Sequence, residues 1–171
     1  MWIPRLAVSG ISVRRMDFRM ASAEDIRAIA VMRWKTAARA SMPTQPCDAF
    51  ADAFVAWAQE VAATHIPFVV VAEAVLGSAW LAVVPRAPDP GMAYRANGDL
   101  QTVFVAPEHR DQGVGEALVR TVLEYAWKHG LNAVTVAANA RASSLYHRVG
   151  FVGDPLDLRL TAPGPTPPSC A

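Results

Sequence analysis

The sequence has few cysteines, and their positions limit the kinds of site that it can build. Only Cys47 and Cys170 occur, and Cys170 lies in a proline-rich stretch beside the C-terminus. Two cysteines so placed form neither a disulfide framework nor a metal site. We therefore expect no bound metal, and a reducing compartment such as the cytoplasm.

An excess of charge of either sign is also missing. The chain has 16 basic and 15 acidic residues, which leaves a formal net charge of +1. No stripe of lysine and arginine stands out along the sequence. Proteins that bind nucleic acid usually carry such a basic patch, so we expect no nucleic-acid partner.

Long uncharged runs are scarce, and the one that resembles a membrane span is interrupted. Residues 61–85 carry one formal charge, Glu73, and a carboxylate in the middle of a membrane helix costs about 2.5–3.5 kcal/mol. Two β-branched stretches, residues 67–72 and 78–84, flank Gly77. This pattern predicts a hairpin with its turn at Gly77, and no contact with a membrane.

The length suits a single domain. A chain of 171 residues can bury a core without help from metals or disulfides. We expect the domain to occupy residues 13–160. Residues 1–12 are predicted to be an extension without the sustained apolar segment of a signal peptide. Residues 161–171 are predicted to be a disordered, proline-rich tail.

Periodicity predicts three elements in the first third of the chain. Residues 13–20 alternate in the manner of a strand. Ser22 followed by Asp25 resembles a capping box, which predicts the start of a first helix there. Asp48 is predicted to cap a second helix, whose apolar residues follow helical spacing.

After the hairpin, a loop over residues 85–98 is predicted from its Pro, Gly, Asp and Asn content. The remaining elements are a strand, a helix, a strand, a short helix and a last strand. Their predicted bounds are, in that order, residues 99–105, 113–129, 133–137, 139–148 and 156–160. The order β-α-α-β-β-β-α-β-α-β predicts an α/β fold with a mixed, mainly antiparallel central sheet. One right-handed crossover should make a single pair of strands parallel.

A glycine-containing loop leads from the predicted strand at residues 99–105 into the next helix. Gly113 and Gly115 would let a phosphate approach the main chain at the helix N-terminus, and Arg110 adds positive charge. A Walker A loop is excluded, because Glu116 and Ala117 stand where Lys and Ser or Thr are required. A Rossmann fingerprint would need a third glycine and repeated βαβ units. A plain tight turn remains the alternative.

A second motif follows the next strand. It reads Asn139-x-x-Ala142-x-x-Leu145-Tyr146-x-x-x-Gly150-Phe151. The loop before it reads Arg110-x-x-Gly113-x-Gly115. Both motifs, in this order with one helix and one strand between them, resemble the GNAT superfamily of N-acetyltransferases in its bacterial form. The resemblance covers about residues 13–160 and is strongest after Asp99. Asp111 departs from the pattern, because the family often has glycine or a basic residue there, and we expect it to weaken pyrophosphate binding unless it points to solvent.

The resemblance implies a GNAT fold with acetyl-CoA as co-substrate. The two parallel strands would splay apart and hold the pantetheine arm between them. The implied cofactor-binding residues are Val103, Phe104, Val105, Arg110, Asp111, Gln112, Gly113, Val114, Gly115, Glu116, Asn139, Ser143 and Tyr146. Val103 and Val105 equally fit a core role, and Asn139 equally fits a helix N-cap.

The implied reaction is direct attack of a neutral amine on the thioester within a ternary complex. A backbone N–H near Val105 would stabilise the developing oxyanion. Tyr146 would donate a proton to the leaving thiolate, the alternative being a half-buried aromatic without catalytic role. Asp99 ranks first as the general base, ahead of Glu73 and His109, and a water chain could replace all three.

The acceptor is predicted to be the primary amine of a small molecule. Its binding wall is expected from residues 34–50 together with the loop at 85–98. The apolar side chains of that wall would be Trp34, Met42, Phe50, Met92 and Tyr94. The alternatives are a protein N-terminal or lysine acetyltransferase and a non-catalytic acyl-CoA-binding module. A homodimer is left open.

Overall fold

A five-stranded sheet runs through the computed structural model, which describes residues 13–40 and 43–153. The helices and strands are, in chain order, β1 (Asp17–Met20), α1 (Ala23–Ala40), α2 (Cys47–Glu60), β2 (His65–Val71), β3 (Val75–Pro85), β4 (Ala96–Val105), α3 (Val114–Lys128), β5 (Val134–Val136) and α4 (Ser143–Arg148). This order confirms the prediction within the described residues. The predicted last strand, the extension and the tail lie outside them.

The strands lie side by side in the order β1-β2-β3-β4-β5. Every neighbouring pair is antiparallel except β4 and β5, which are parallel. The mixed sheet is therefore confirmed. The parallel pairing runs only from Gly98 opposite Val134 to Leu100 opposite Val136. Because β4 continues to Val105 and β5 ends at Val136, the last part of β4 has no partner on its β5 side among residues 13–40 and 43–153.

Two apolar clusters cover the two faces of the sheet. On one face, α3 packs Leu118 and Val122 against Leu81 and Leu100. On the other face, α1 and α2 form a smaller cluster around Trp80, which includes Ile26, Ile29, Ala58 and Val69. Alternate side chains of a strand point to opposite faces, so each strand contributes to both clusters. No helix among the described residues combines the length and the apolar character needed to cross a bilayer.

The start of α1 is fixed by a carboxylate, as the capping-box pattern predicts. The backbone N–H and the hydroxyl of Ser22 both donate to Asp25 Oδ2, at 2.7 and 2.8 Å. Arg19 donates to the same carboxylate at 2.6 Å. The hydrogen bond from Arg19 holds the pKa of Asp25 at about 2, below its ordinary value.

The hairpin is present, but its predicted turn is wrong. Residues 72–74 make the turn, and Gly77 lies within β3. A Cβ at Gly77 would lie 2.6 Å from the carbonyl oxygen of Phe104 and 3.0 Å from Val70 Cγ1. Glycine is needed here because the neighbouring strand comes too close for a side chain, and not because the chain turns.

Other predicted boundaries also differ from the structure. Residues Val13–Arg15 form a 3₁₀ turn, so the first strand begins only at Asp17. Asp48 lies inside the first turn of α2, which follows Pro46 without a side-chain cap, and it pairs with Arg27 at 3.1 Å. β4 begins at Ala96, because this residue is fully buried and belongs to the core despite its loop-like surroundings.

Candidate active site

A cavity of about 410 Å³ opens where β4 and β5 separate. Its wall comes from the end of β4, the loop before α3, the first turn of α3 and the segment that contains α4. The lining residues are Val103, Phe104, Val105, Arg110, Asp111, Gly113, Gly115, Glu116, Asn139, Arg141, Ala142, Ser144, Leu145, Tyr146 and Arg148. The structure thus brings together all the predicted cofactor residues except Gln112, Val114 and Ser143.

Those three side chains lie elsewhere. Gln112 donates its amide to the carbonyl oxygen of Glu108 at 3.0 Å. Val114 is 1% exposed and packs in the core, so only its main chain can face the cavity. Ser143 lines a different hollow along β5. Asp99, the predicted general base, is not on the cavity wall either, and its Oδ2 accepts a hydrogen bond from Gln101 at 2.7 Å.

The end of β4 is bent by a bulge that the sequence pattern does not reveal. Gln101 pairs with Trp80, whereas Phe104 pairs with Ser78, so β4 has one extra residue here. Thr102 has a φ of +46°, a left-handed conformation that is uncommon for a β-branched residue. Strained bulges of this kind concentrate next to functional sites, where they re-aim main-chain groups.

The N-terminus of α3 presents main-chain N–H groups, and no side chain of the described residues caps them. Gly113 is the N-cap residue with a φ of +82°, and no side chain caps it. The first intrahelical bond runs from Ala117 N to Gly113 O at 3.0 Å, so the N–H groups of residues 114–116 lack a helical acceptor. A Cβ at Gly113 would meet no atom within 4 Å. This helix end therefore fits an anion such as a pyrophosphate.

Gly115 has a packing role in addition. A Cβ there would lie 3.0 Å from Leu145 Cδ1 and 3.7 Å from Val105 Cγ2. The absence of a side chain lets α3, α4 and the end of β4 meet closely. The second glycine of the motif thus holds the cavity wall together.

Arg110 folds back onto β4. Its Nε donates to the carbonyl oxygen of Val105 at 2.8 Å, and its Cζ lies 5.6 Å from the centre of the Phe104 ring. The carbonyl of Val105 is therefore already used within the chain. The terminal nitrogens of Arg110 are the part of the guanidinium left to meet a ligand.

The backbone at Asp111 adopts a conformation that favours glycine, the residue that the resemblance often places at this position. It has a φ of +58°, a conformation that favours glycine and that aspartate tolerates better than most residues. Its side chain is 92% exposed and lies 3.9 Å from Arg141. The carboxylate points to solvent, and the neighbouring arginine offsets part of its charge.

Two arginines that line this cavity, Arg141 and Arg148, are not among the predicted cofactor-binding residues. Arg148 on α4 pairs with Glu116 on α3 at 3.1 Å, and Arg120 pairs with the same carboxylate at 2.9 Å. Hydrogen bonds from Arg120 first, and from Arg148 second, lower the pKa of Glu116. The Arg120–Glu116 pair follows i,i+4 spacing within α3. Only the packing of α3 against α4 brings Arg148 to Glu116, so no local pattern could have identified Arg148.

Asn139 lies four residues before the start of α4, and Tyr146 lies within the helix. Asn139 Oδ1 accepts a hydrogen bond from the backbone N–H of Ala142 at 3.0 Å, in the turn that precedes the helix. The predicted N-cap role is wrong, because Ala142 is the N-cap residue and α4 begins at Ser143 and not at residue 139. Tyr146 is 7% exposed, lines the cavity and packs edge-on against Phe151 at 5.5 Å. Burial raises the pKa of Tyr146, so its hydroxyl stays protonated at neutral pH.

The predicted acceptor wall is not part of this cavity. The indole of Trp34 donates to the carbonyl oxygen of Gln45 at 3.0 Å, and Phe50 packs against Phe54 at 5.8 Å. Met92 and Tyr94 are exposed. Met42 lies outside the described residues.

Comparison with known sequences gives the same family as the two motifs. The model of the acetyltransferase (GNAT) family matches residues 29–151, more than half of the chain. Mycothiol acetyltransferase of Pseudarthrobacter chlorophenolicus is 39% identical over 87 residues, which are 49% of this chain and 26% of that protein. Glucosamine 6-phosphate N-acetyltransferase of Trypanosoma brucei brucei is 29% identical over 86 residues, 50% of this chain and 56% of that protein. The chain thus spans about half or less of the length of these relatives.

Solved structures agree in fold at low identity. An integron cassette protein of V. cholerae has a TM-score of 0.72 and 13% identity, with 88% of this chain and 93% of that chain covered. A predicted acetyltransferase with acetyl-CoA, from Clostridium acetobutylicum, has a TM-score of 0.66 and 13% identity, with 85% and 96% covered. Together with the family match, these findings identify the chain as a member of the GNAT acetyltransferase family.

Proposed function

We propose that this protein transfers the acetyl group of acetyl-CoA to the primary amine of a small-molecule acceptor. The observation that carries the proposal is the cavity between β4 and β5, which joins an uncapped helix N-terminus, an unpaired strand edge and Tyr146. Each of these three features matches one part of the co-substrate: the pyrophosphate, the pantetheine arm and the sulfur.

The main chain would hold most of the co-substrate. The N–H groups at the start of α3 and the terminal nitrogens of Arg110 would bind the pyrophosphate. The edge of β4 beyond Leu100 would pair with the pantetheine amides, as an added strand pairs with a sheet. Because Arg110 already occupies the carbonyl of Val105, the other main-chain groups at this edge would make those bonds.

Acetyl-CoA supplies an activated acetyl group as a thioester. In the proposed reaction the amine nitrogen bonds to the acetyl carbon, the carbon–sulfur bond breaks, and the leaving thiolate takes a proton. Tyr146 would supply that proton, since its raised pKa keeps the hydroxyl protonated. The nitrogen must lose a proton as well. Asp99 is the proposed base, and it would act through water because it does not line the cavity.

The names of the two curated relatives support a small acceptor, since one refers to mycothiol and the other to glucosamine 6-phosphate. We also propose a cytoplasmic location, because Cys47 has no disulfide partner within the described residues and the chain has too few cysteines for a disulfide framework. Acetylation of protein N-termini or lysines, and binding of acyl-CoA without catalysis, remain competing functions.

The deciding experiment measures thiol release from acetyl-CoA with a panel of small amines, amino acids, amino sugars and peptides. We expect release with at least one small amine and slower release with peptides. Calorimetry with CoA runs in parallel. Binding of CoA without any thiol release would support the non-catalytic module, and preference for peptides would support a protein acetyltransferase.

A further inference from the structure

Arg33 occupies a position on α1 where an apolar residue is expected. The face of α1 that packs on the sheet carries Ile26, Ile29 and Ala30, which are all buried. Arg33 follows Ile29 by four residues and therefore lies on the same face. A helix face that packs on a sheet normally continues with apolar residues. Here it continues with an arginine, close to the end of β4.

The Arg33 guanidinium has no carboxylate partner within residues 13–40 and 43–153. Burial is the only cause that lowers its pKa, with no opposing effect from an acidic group. Its contact on the sheet side is the ring of Phe104, whose centre lies 6.0 Å from Cζ. An aromatic ring compensates poorly for the removal of a charge from water, and half-buried arginines are normally paired.

Phe104 connects Arg33 with the cavity. The same ring lines the cavity and lies 5.6 Å from Cζ of Arg110. Phe104 lies opposite Ser78 in the β3–β4 register, so the two side chains point to the same face of the sheet. Ser78 precedes Trp80 by two residues on β3 and shares its face. Trp80 packs against Ile29 of α1. The ring therefore lies on the α1 side of the sheet, opposite to the side that α3 and α4 cover.

This arrangement determines where an acceptor can approach. On the α3 side the end of β4 is covered by Val114 and by Leu145, which form part of the larger core. A molecule that reaches an acetyl group at the edge of β4 from the other side would pass the α1 face. Among the described residues, Arg33 and Arg110 are the cations that lie near the Phe104 ring, and Arg33 is the one that α1 supplies.

Ser78 is a second unsatisfied polar group on the same face. Its Oγ is fully buried and has no hydrogen-bond partner among the described residues. It lies directly opposite Phe104 in the β3–β4 register. Trp80 Nε1 on the same face also has no partner among the described residues, so this face holds two buried polar atoms that the described chain leaves unpaired.

We propose that Arg33 binds an anionic group of the acceptor, a carboxylate or a phosphate. The acceptor is then an amine that also carries a negative charge. A guanidinium suits this task because it can donate two parallel hydrogen bonds to either group. The inference rests on the proposed acetyl transfer and names the class of its second substrate.

The test uses Arg33→Met together with Lys35→Met as its control. Methionine keeps an apolar stem over Phe104 and removes the unpaired charge, so Arg33→Met should fold and melt at or above the wild-type temperature. Lys35 is exposed on the same helix, and its replacement removes one positive charge without touching Phe104. It therefore controls for a general electrostatic effect.

Activity is compared on matched acceptors that differ only in their charge. The pairs are glucosamine 6-phosphate with glucosamine, and an amino acid with its amide. We expect the wild type and Lys35→Met to prefer the anionic member of one pair, and this pair identifies the anion. Arg33→Met should lose that preference by about 10- to 100-fold, the range for a hydrogen bond to a charged group. An unchanged preference in Arg33→Met, or a wild type that prefers the neutral members, would overturn the proposal.

A binding measurement tests whether Arg33 binds an anion, without the need for acetyl transfer. Inorganic phosphate or acetate is titrated into protein saturated with CoA, against sodium chloride of equal ionic strength, while the melting temperature is followed. One of the two anions should stabilise the wild type and Lys35→Met but not Arg33→Met. An equal response in all three proteins refutes the anion site, even if acetyl transfer occurs. Failure of CoA itself to bind would instead refute the proposed function, and this inference with it.

Discussion

The last residues of β4 face α3 on one side of the sheet and α1 on the other, and these two sides are built in different ways. The cavity on the α3 side depends on main-chain groups: the helix end at Gly113, the unpaired edge of β4 and the bulge at Thr102. The anion site proposed on the α1 side would depend on side chains that come from distant parts of the chain, such as Arg33 and Phe104. A site made of main chain needs a fixed local conformation, which a short motif can specify. A site made of side chains depends on packing between elements, and it can change by single substitutions without loss of fold.

The largest expected effect concerns Tyr146, the side chain of the cavity that has a proposed chemical role. Tyr146→Phe should lower kcat by about 10²–10⁴-fold, the usual contribution of a general acid, with the affinity for acetyl-CoA nearly unchanged. Tyr125→Phe is the control, because Tyr125 packs against Phe68 and does not line the cavity. Steady-state thiol release and calorimetry measure the two quantities. Full activity of Tyr146→Phe would remove the role but leave the fold and the family untouched.

The next effect separates the binding role of the helix end from its backbone strain. Gly113→Val should weaken acetyl-CoA binding by about 100-fold or more, because a side chain would keep a phosphate from two N–H groups worth about 1.5–3 kcal/mol each. Gly91→Val is a matched control, since Gly91 has a φ of +87° and equally open surroundings. Both variants should lose similar stability. Calorimetry showing similar affinities for both would mean that the pyrophosphate binds elsewhere.

The third prediction concerns the attachment of α1, which carries Arg33. The pKa of Asp25 is depressed to about 2. Its contribution to the free energy of unfolding is therefore complete above its ordinary pKa of about 3.9, and is lost as the pH falls toward 2. We expect about 1–2 kcal/mol of stability to disappear in this window, less than the full shift implies because Arg19 is partly exposed. Urea unfolding between pH 6 and pH 2 measures it.

Asp25→Asn should lose that pH dependence, whereas Asp48→Asn, at a carboxylate that is 89% exposed, should keep it. Equal slopes for Asp25→Asn and the wild type would show that the hydrogen bonds at the start of α1 contribute nothing.

The smallest effect concerns Asp111, which has both a left-handed backbone and a charge near the proposed pyrophosphate. Asp111→Gly relieves a conformation that costs about 1–2 kcal/mol but adds the entropy of glycine, about 0.5–1 kcal/mol. The net gain in stability should therefore lie between about 0 and 1.5 kcal/mol. Asp111→Asn removes only the charge. Both variants should bind acetyl-CoA a few-fold more tightly at low salt, and only Asp111→Gly should melt higher. Weaker binding by either variant contradicts the expectation.

The difference between the two sides also decides what the sequence could predict. The order of elements, the mixed sheet and the loop at Gly113 follow from periodicity and from residues with special backbone preferences. The bulge at Thr102 does not, because threonine disfavours a positive φ and nothing local requires it there. The prediction of a turn at Gly77 is wrong for a related reason. A glycine in a strand-like segment marks either a turn or a close approach of another backbone, and only the position of the neighbouring strand distinguishes the two.

Long-range contacts decide the features that local sequence patterns leave open. Asp99 stays a proposed base, but its Oδ2 accepts a hydrogen bond from Gln101 and the residue does not line the cavity. Arg148 reaches Glu116 only after α3 and α4 have packed together, whereas Arg120 pairs with Glu116 within α3. Arg33 looks like an ordinary polar residue of an amphipathic helix until the sheet beneath α1 is known. Side-chain chemistry of this kind requires the tertiary structure.

The unequal apolar clusters on the two faces of the sheet have a consequence for local opening. The helices α1 and α2 rest on the smaller cluster around Trp80, whereas α3 closes the larger one. Opening free energies rise with the apolar contact that must be broken. Amide hydrogens of α1 and α2 should therefore exchange with solvent deuterium sooner than those of α3 and of the central strand β3. The layer that would receive the acceptor could then detach and re-form many times while the layer that would hold the co-substrate stays folded.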